Sequence, residues 1–265
     1  MSLELGSKAA LVTGASQGMG FAVAKKLCEL QAAVAISSRS IARILDAASQ
    51  IGSATGKVPL SFGCDLSDGA QVQEMVDQAA HKLGGLDILV SNVAGPPRMA
   101  FMQIGDETWQ QWFDTTFMSF VRLTRAAVPH MRERGGGHIV TIGSNSSVHP
   151  IENFSLSNAF RPAVAALVKS LAAELAPYNI RVTTISPGRI LTDRLENNLR
   201  KLSDERSVPL DHVLKNMTSN IPLQRFGRAE EIADLIAFIV SDQASYLTGT
   251  NIILDGGLTS QPRPS

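Results

Sequence analysis

Three glycines carry the first chemical possibility. In "LVTGASQGMGFAVAKKL", Gly14, Gly18 and Gly20 stand where an apolar run gives way to helical spacing. Glycine tolerates positive φ and lets a ligand approach the main chain, while the first N–H groups of a helix and the positive end of its dipole attract phosphate. Without a ligand these residues would make a plain strand-to-helix turn; with one, they suit a pyrophosphate. Further along, "ISSRS" ends the second apolar run with Ser38 and Arg39. A dinucleotide fold that takes NAD normally carries a carboxylate there for the ribose hydroxyls. An arginine in place of the acid matches a ribose 2′-phosphate. NADP(H) is therefore expected in preference to NAD(H), the competing reading of Arg39 being a solvated surface charge.

Other reactive side chains are thinly spread. His81, His130, His138, His149 and His212 lack HExxH or any other ligand spacing, and Cys28 and Cys64 have no CxxC pattern. No metal site and no disulfide framework follow. The 265 residues are 44% hydrophobic and 18% charged, which suits a single large α/β domain over the whole chain, 1–265. Lys plus Arg equal Asp plus Glu at 24 each, so no broad basic face is available for nucleic acid. The opening "MSLELGSKAALVTG" has no long apolar run, and "LIAFIV" is far too short to span a membrane. A small-molecule substrate in the cytoplasm is expected.

The elements that must position these residues are legible as short apolar runs: "KAALVT", "AAVAIS", "VPLSF", "LDILVS", "GHIVTI", "IRVTTI" and "TNIILD". Each reads as a strand, and helical spacing fills most of the intervals, as with Ala70, Val72, Met75, Val76 and Ala79. Alternating β and α elements imply a doubly wound, Rossmann-type parallel sheet of about seven strands with helices on both faces. Residues 194–224 break the pattern: polar and interrupted by Pro209 and Pro222, they read as a mobile insert over a ligand site. The tail "TSQPRPS" is expected to fray or to wrap onto a neighbouring subunit.

Further motifs occur at compatible spacing: "CDLSD" with Asp65, "PGRILTD" with Pro187, Gly188 and Thr192, and a closing "TGTNIILDGG". With the glycine turn from Thr13 to Gly20, they resemble the short-chain dehydrogenase/reductase family, particularly its 3-oxoacyl-acyl-carrier-protein reductase-like branch, from about Lys8 to Leu258. The resemblance implies cofactor contacts from Gly14, Ser16, Gln17, Gly18, Met19 and Gly20, from Ser38 and Arg39, and from Asp65, Leu66 and Asn92. Pro187, Gly188 and Thr192 complete that set. It also implies a homotetramer built on the helix from Asp106 to Met131 and the one after Phe154.

The family's catalytic set is an asparagine, a serine and a Tyr-x-x-x-Lys pair, and here the chain departs from it. The resemblance places the serine on Ser144; the family's spacing of 13 then reaches Ser157 at the tyrosine position, Arg161 at the lysine position and Thr116 at the asparagine position. A positioned general acid contributes about 10² to 10⁴ in rate. Serine is far less acidic than a phenol and arginine stays charged, so neither is an efficient proton donor at neutral pH. Arg161 with the hydroxyls of Ser144 and Ser157 would instead stabilise an oxyanion, with water as the proton source. His149, on the loop "SVHPIEN", is a candidate acid or ordinary loop surface; Arg189 would hold an acidic substrate group or face solvent. Pro162 predicts an irregular first turn, capped by Ser157 or Asn158.

An NADP(H)-dependent carbonyl reductase or alcohol dehydrogenase is the reading this supports. The alternative is a catalytically inactive dinucleotide-binding sensor or partner subunit. A third class, hydride-free chemistry as in the similar halohydrin dehalogenases, is disfavoured because those proteins keep the tyrosine and lose the glycines.

Overall fold

All seven apolar runs become strands of one parallel sheet in the computed structural model, which describes residues 3–260. The strands are β1 (Ala9–Val12), β2 (Ala33–Ser38), β3 (Leu60–Gly63), β4 (Ile88–Ser91), β5 (Gly137–Ile142), β6 (Ile180–Pro187), the short β7 (Ile190–Leu191) and β8 (Gly227–Arg228), and β9 (Asn251–Leu254). Their order across the main sheet is β3-β2-β1-β4-β5-β6-β9. Val12 thus pairs with Ile36 on one side and Val90 on the other. The chain runs outward from β1 to β3 and returns to β4, so a crevice opens beyond the carboxyl ends of β1 and β4. Ligands of open α/β sheets bind at such a switch point.

Strand side chains alternate between two cores, as a period of two requires. Val12, Ile36, Ile88 and Val90 face α1 (Gly18–Glu29), α2 (Ile41–Thr55) and, from the far end of the chain, α9 (Ala229–Val240). Leu11, Leu89, Ile139 and Val182 face α3 (Gly69–Leu83), α5 (Ser119–Glu133) and α6 (Ser155–Leu175). Ser40 and Asp68 cap α2 and α3 through their side chains, and Gly56 and Gly84 end the same helices in the left-handed region.

Two local expectations are corrected. The helix expected from Asp106 to Met131 is α4 (Asp106–Trp112) joined to α5 by a π-helical turn, Phe113–Met118. Pro162 leaves no irregular first turn: α6 begins at Ser155, Asn158 N–H donates to Phe154 O at 2.9 Å, and the helix runs on through the proline. Only one backbone donor is lost at the end of the second turn, and buried Leu156, Val164 and Val168 hold the helix on the sheet. Residues 194–224, expected as a mobile insert over a ligand site, contain most of α7 (Asp193–Arg206) and α8 (Leu210–Thr218), anchored by buried Leu199, Val213 and Ile221. The pairing of β7 with β8 ties the two ends of that segment together. The tail beyond Ser260 lies outside the described residues.

Away from the crevice, His138 is 1% exposed and its Nε2 lies 3.0 Å from Thr183 Oγ1. Burial, and then the charge of Arg181, push its pKa from 6.5 down to about 3. Arg181 itself donates to the carbonyls of Ile239, Ser241 and Ala244, closing the end of α9. An imidazole that stays neutral in the fold but takes a proton near pH 6.5 when unfolded makes the unfolded state bind more protons between those values. Its stabilising effect is complete above pH 6.5 and is lost as the pH falls towards 3. Urea midpoints measured from pH 7 to pH 4 should fall more steeply for the wild type than for His138→Gln; parallel slopes would contradict the assignment.

Candidate functional site

At the carboxyl end of β1 the main chain turns so tightly that side chains are excluded. Gly14 has φ 58°, and a Cβ there would lie 2.5 Å from the Asn92 carbonyl oxygen. Asn92 closes the gap between β1 and β4: its N–H donates to Thr13 Oγ1 at 3.0 Å, Thr13 Oγ1 donates to Asn92 O at 2.9 Å, and Asn92 Nδ2 donates to Gly14 O at 3.0 Å. Gly18, at φ 61°, opens α1, whose N-cap residue Gln17 makes no side-chain cap and whose first turn has no acid. The first N–H groups are thus left for a ligand, which fits a pyrophosphate. Ser16 and Met19 belong to the same turn.

Around this turn stand the other expected cofactor residues. Ser38 Oγ donates to Ser40 O at 2.9 Å, and Arg39 is exposed beyond the end of β2. The Asp65 carboxylate accepts from Ser67 N–H and Oγ at 2.9 and 2.8 Å, so it shapes its own turn, with Leu66 half-buried beside it. Buried Pro187 ends β6, and Gly188 N–H donates to Leu254 O. Thr192 caps α7 by accepting from Leu195 N–H, and its Cγ2 would lie 3.4 Å from a Cβ on Gly18. The start of α7 therefore reaches back over the glycine turn.

Three of the residues at the resembled catalytic positions, Ser144, Ser157 and Arg161, gather at the ends of β4 and β5. Arg161, on α6, is 6% exposed; its Nη1 donates to Ile142 O at 3.0 Å and its Nη2 to Val93 O at 3.5 Å, while Nε is buried without a partner. Among the described residues no carboxylate pairs with it. Burial alone pushes the guanidinium pKa down to about 10, so it remains charged at neutral pH. Ser144 starts a single 3-10 turn, Asn145–Ser147, and its Oγ accepts from Ser146 N–H at 3.1 Å. Ser157 is buried with its Oγ 2.8 Å from that of Ser146. Thr116 lies in the π-helical turn, 2% exposed, with Oγ1 unpartnered. A wider turn at this point aims a residue of the α4–α5 helix inward.

Some of the residues that hold this geometry were not singled out in the sequence. Ser147 Oγ, Ser186 Oγ and the Asn251 side-chain amide close a ring of hydrogen bonds at 2.9, 2.7 and 2.9 Å, fastening the Ser144 turn to β6 and β9. Asn158 caps nothing. Its Oδ1 accepts from Ile151 N–H at 3.0 Å and its Nδ2 donates to Ile151 O at 2.8 Å, which clamps the loop before α6. Ser157, the other expected cap, is committed to Ser146. His149 is half-buried, and Glu152 and Lys169 are exposed. No group of three metal-ligating side chains occurs among the described residues.

Comparison with known proteins places this geometry in context. A family model described as "Enoyl-(Acyl carrier protein) reductase" matches residues 14–259. The human protein called dehydrogenase/reductase SDR family member 4 is 34% identical over 263 residues, covering 97% of this chain and 89% of its own. The L-sorbose reductase of Gluconobacter frateurii, solved with NADPH and L-sorbose, superposes with a TM-score of 0.95 at 31% identity over 99% of this chain and 100% of that one. An NADPH-bound short chain oxidoreductase from Pseudomonas aeruginosa, described as containing an atypical catalytic center, gives 0.90 at 30% identity over 100% of both chains.

The Asn158 clamp can be tested directly. Asn158→Ala leaves both polar groups of Ile151 unpaired and should lower stability by about 1–3 kcal/mol. Asn158→Asp keeps the acceptor and should fall between. Urea unfolding of the two variants decides it, and a change within experimental error for the alanine variant would remove the clamp.

Proposed function

The chain belongs to the short-chain dehydrogenase/reductase family, and we propose that it is an NADP(H)-dependent oxidoreductase interconverting a carbonyl compound and an alcohol without a Tyr-x-x-x-Lys pair. The observation that carries this reading is Arg161. A buried guanidinium held by main-chain carbonyls just beyond β4 and at the end of β5 is a fixed positive charge beside both the Asn92 corner and the Ser144 turn. Such a charge costs free energy unless an anionic or oxyanionic partner completes it. The NADPH complexes of the two solved relatives support the cofactor, as does Arg39 standing where an NAD-binding chain carries an acid.

The bound nicotinamide would supply or accept the hydride. The chain's own residues do the rest. Gly14, Gly18 and Gly20 admit the pyrophosphate to the start of α1, and Arg39 takes the 2′-phosphate. Arg161 faces the negative charge that develops on the substrate oxygen, and Ser144 hydrogen-bonds the same oxygen, a preorganised electrostatic stabilisation. Ser157 and Thr116 are the further polar groups of the site, and solvent water supplies the proton. Residues 194–224, as α7 and α8, cover the substrate. The homotetramer, built on α5 and α6, and the cytoplasmic setting belong to the same proposal.

The competing reading, a silent dinucleotide sensor or partner subunit, draws on the hydrogen bond that already occupies the buried Ser157 hydroxyl. A fluorescence titration with NADPH and NADH, followed by a panel of ketones and 3-oxoacyl thioesters, separates the two. Tight NADPH binding with oxidation of the cofactor by one of these carbonyl compounds supports the enzyme; binding without turnover across the panel supports the sensor. Arg39→Ala should weaken NADPH by about tenfold or more while leaving NADH unchanged. Equal losses for both cofactors would remove the 2′-phosphate role.

The pH profile is a second test. Arg161 loses its proton only near pH 10, so kcat/KM for carbonyl reduction should be flat from pH 6 to pH 9 and decline beyond. A limb near pH 7 would contradict a mechanism that leaves the proton to water.

A further inference from the structure

Two arginines near the site join no ion pair among the described residues and are not used by the chemistry above. Arg189 follows Gly188 beyond β6 and is half-buried. Its Nη1 donates to Met217 O, near the end of α8, and to Asn220 Oδ1 at 3.0 Å. Arg98, on the loop after β4, is exposed and lies 5.6 Å from the centre of the Phe154 ring, at the residue that precedes α6. The Arg98 loop is tied to that residue's neighbour, because Met99 N–H donates to Asn153 O at 2.9 Å. Both guanidiniums therefore project from loops at the carboxyl end of the sheet, the end that holds Ser144 and Arg161.

Arginine ion pairs among the described residues join Arg122 to Asp114, Arg134 to Asp87, Arg200 to Glu196 and Arg225 to Glu231, and neither Arg98 nor Arg189 takes part. A cavity of about 70 Å³ beside Arg189 is lined by two carboxylates, but both are committed. Glu231 accepts from Arg225 and from Arg228 N–H. Asp255 accepts from Gly257 N–H, Thr259 N–H and Thr259 Oγ1. Burial first, and the nearby charge of Arg98 second, hold the Arg189 pKa below the ordinary arginine value. Two like charges on loops at the same end of the sheet gain from an anion near both, and arginine offers parallel donors that match carboxylate or phosphate.

We propose that Arg189, with Arg98 on a neighbouring loop, recognises an anionic group, carboxylate or phosphate, on the substrate, so that the carbonyl compound handled here is an oxo acid or a phosphorylated ketone and not a neutral one. This rests on the oxidoreductase reading for its chemistry but is tested by binding alone. Acetoacetate, methyl acetoacetate and dihydroxyacetone phosphate are titrated calorimetrically into the chain with and without saturating NADP⁺, an oxidised cofactor that cannot reduce them.

At least one of the two anions should bind about tenfold or more tighter than the methyl ester, and which one does tells carboxylate from phosphate. Arg189→Leu should erase the preference without changing NADP⁺ affinity, and Arg189→Lys should keep part of it. Anions that bind no better than the ester, or a preference that survives in Arg189→Leu, would overturn the proposal. Failure of NADP⁺ to bind would count against the oxidoreductase reading instead, while the comparison made without cofactor still decides the role of Arg189.

Discussion

The approach of β1 to β4 at their carboxyl ends is the contact on which the rest of this molecule depends. Gly14 and Asn92 come so close that a Cβ on the glycine would overlap the asparagine carbonyl, and three hydrogen bonds among Thr13, Gly14 and Asn92 lock the junction. That closure fixes the direction in which α1 leaves the sheet, and with it the aim of the helix's free N–H groups. It also sets the path of Val93, whose carbonyl receives Arg161. A steric rule at one glycine thereby governs both the phosphate end and the chemical end of the crevice.

On the proposed reading the chemical end departs from the family's Tyr-x-x-x-Lys pair. A phenol and an ammonium can exchange protons; a serine and an arginine near neutral pH cannot. What the chain has built instead is a fixed charge in a polar nest. Ser146 links Ser144 to Ser157, and the ring of Ser147, Ser186 and Asn251 fastens that turn to two strands. Such an arrangement has little freedom to reorganise, which is the property that makes fixed dipoles and charges effective towards a developing oxyanion.

Cation placement continues the same theme beyond the buried centre. Arg161 lies within, and Arg98 and Arg189 stand on the flanking loops, while elsewhere several arginines are neutralised by local acids. A formally neutral chain thus places three arginines that join no ion pair among the described residues, Arg98, Arg161 and Arg189, at one end of its sheet. Composition alone hides this, because net charge sums over the whole surface whereas recognition depends on where the charges fall.

By itself the sequence determined the sheet, its seven strands, the glycine turn and the absence of an acid after β2, since these follow from local periodicity and from what glycine and arginine can do alone. It also supplied the reading that Ser157 and Arg161 stand at the tyrosine and lysine positions of the resembled site, which rests on counting. Only the tertiary structure decided what those side chains touch. Ser157 meets Ser146, Arg161 meets the carbonyls of Ile142 and Val93, and Asn158 holds Ile151 when local propensity made it a cap. The helix through Pro162, the π-helical turn at Thr116 and the folding of residues 194–224 into α7 and α8 were likewise hidden. The physical reason is common to all: a local preference amounts to a few kcal/mol at most and yields to burial against a distant surface, and the identity of that surface is not written in the neighbouring residues.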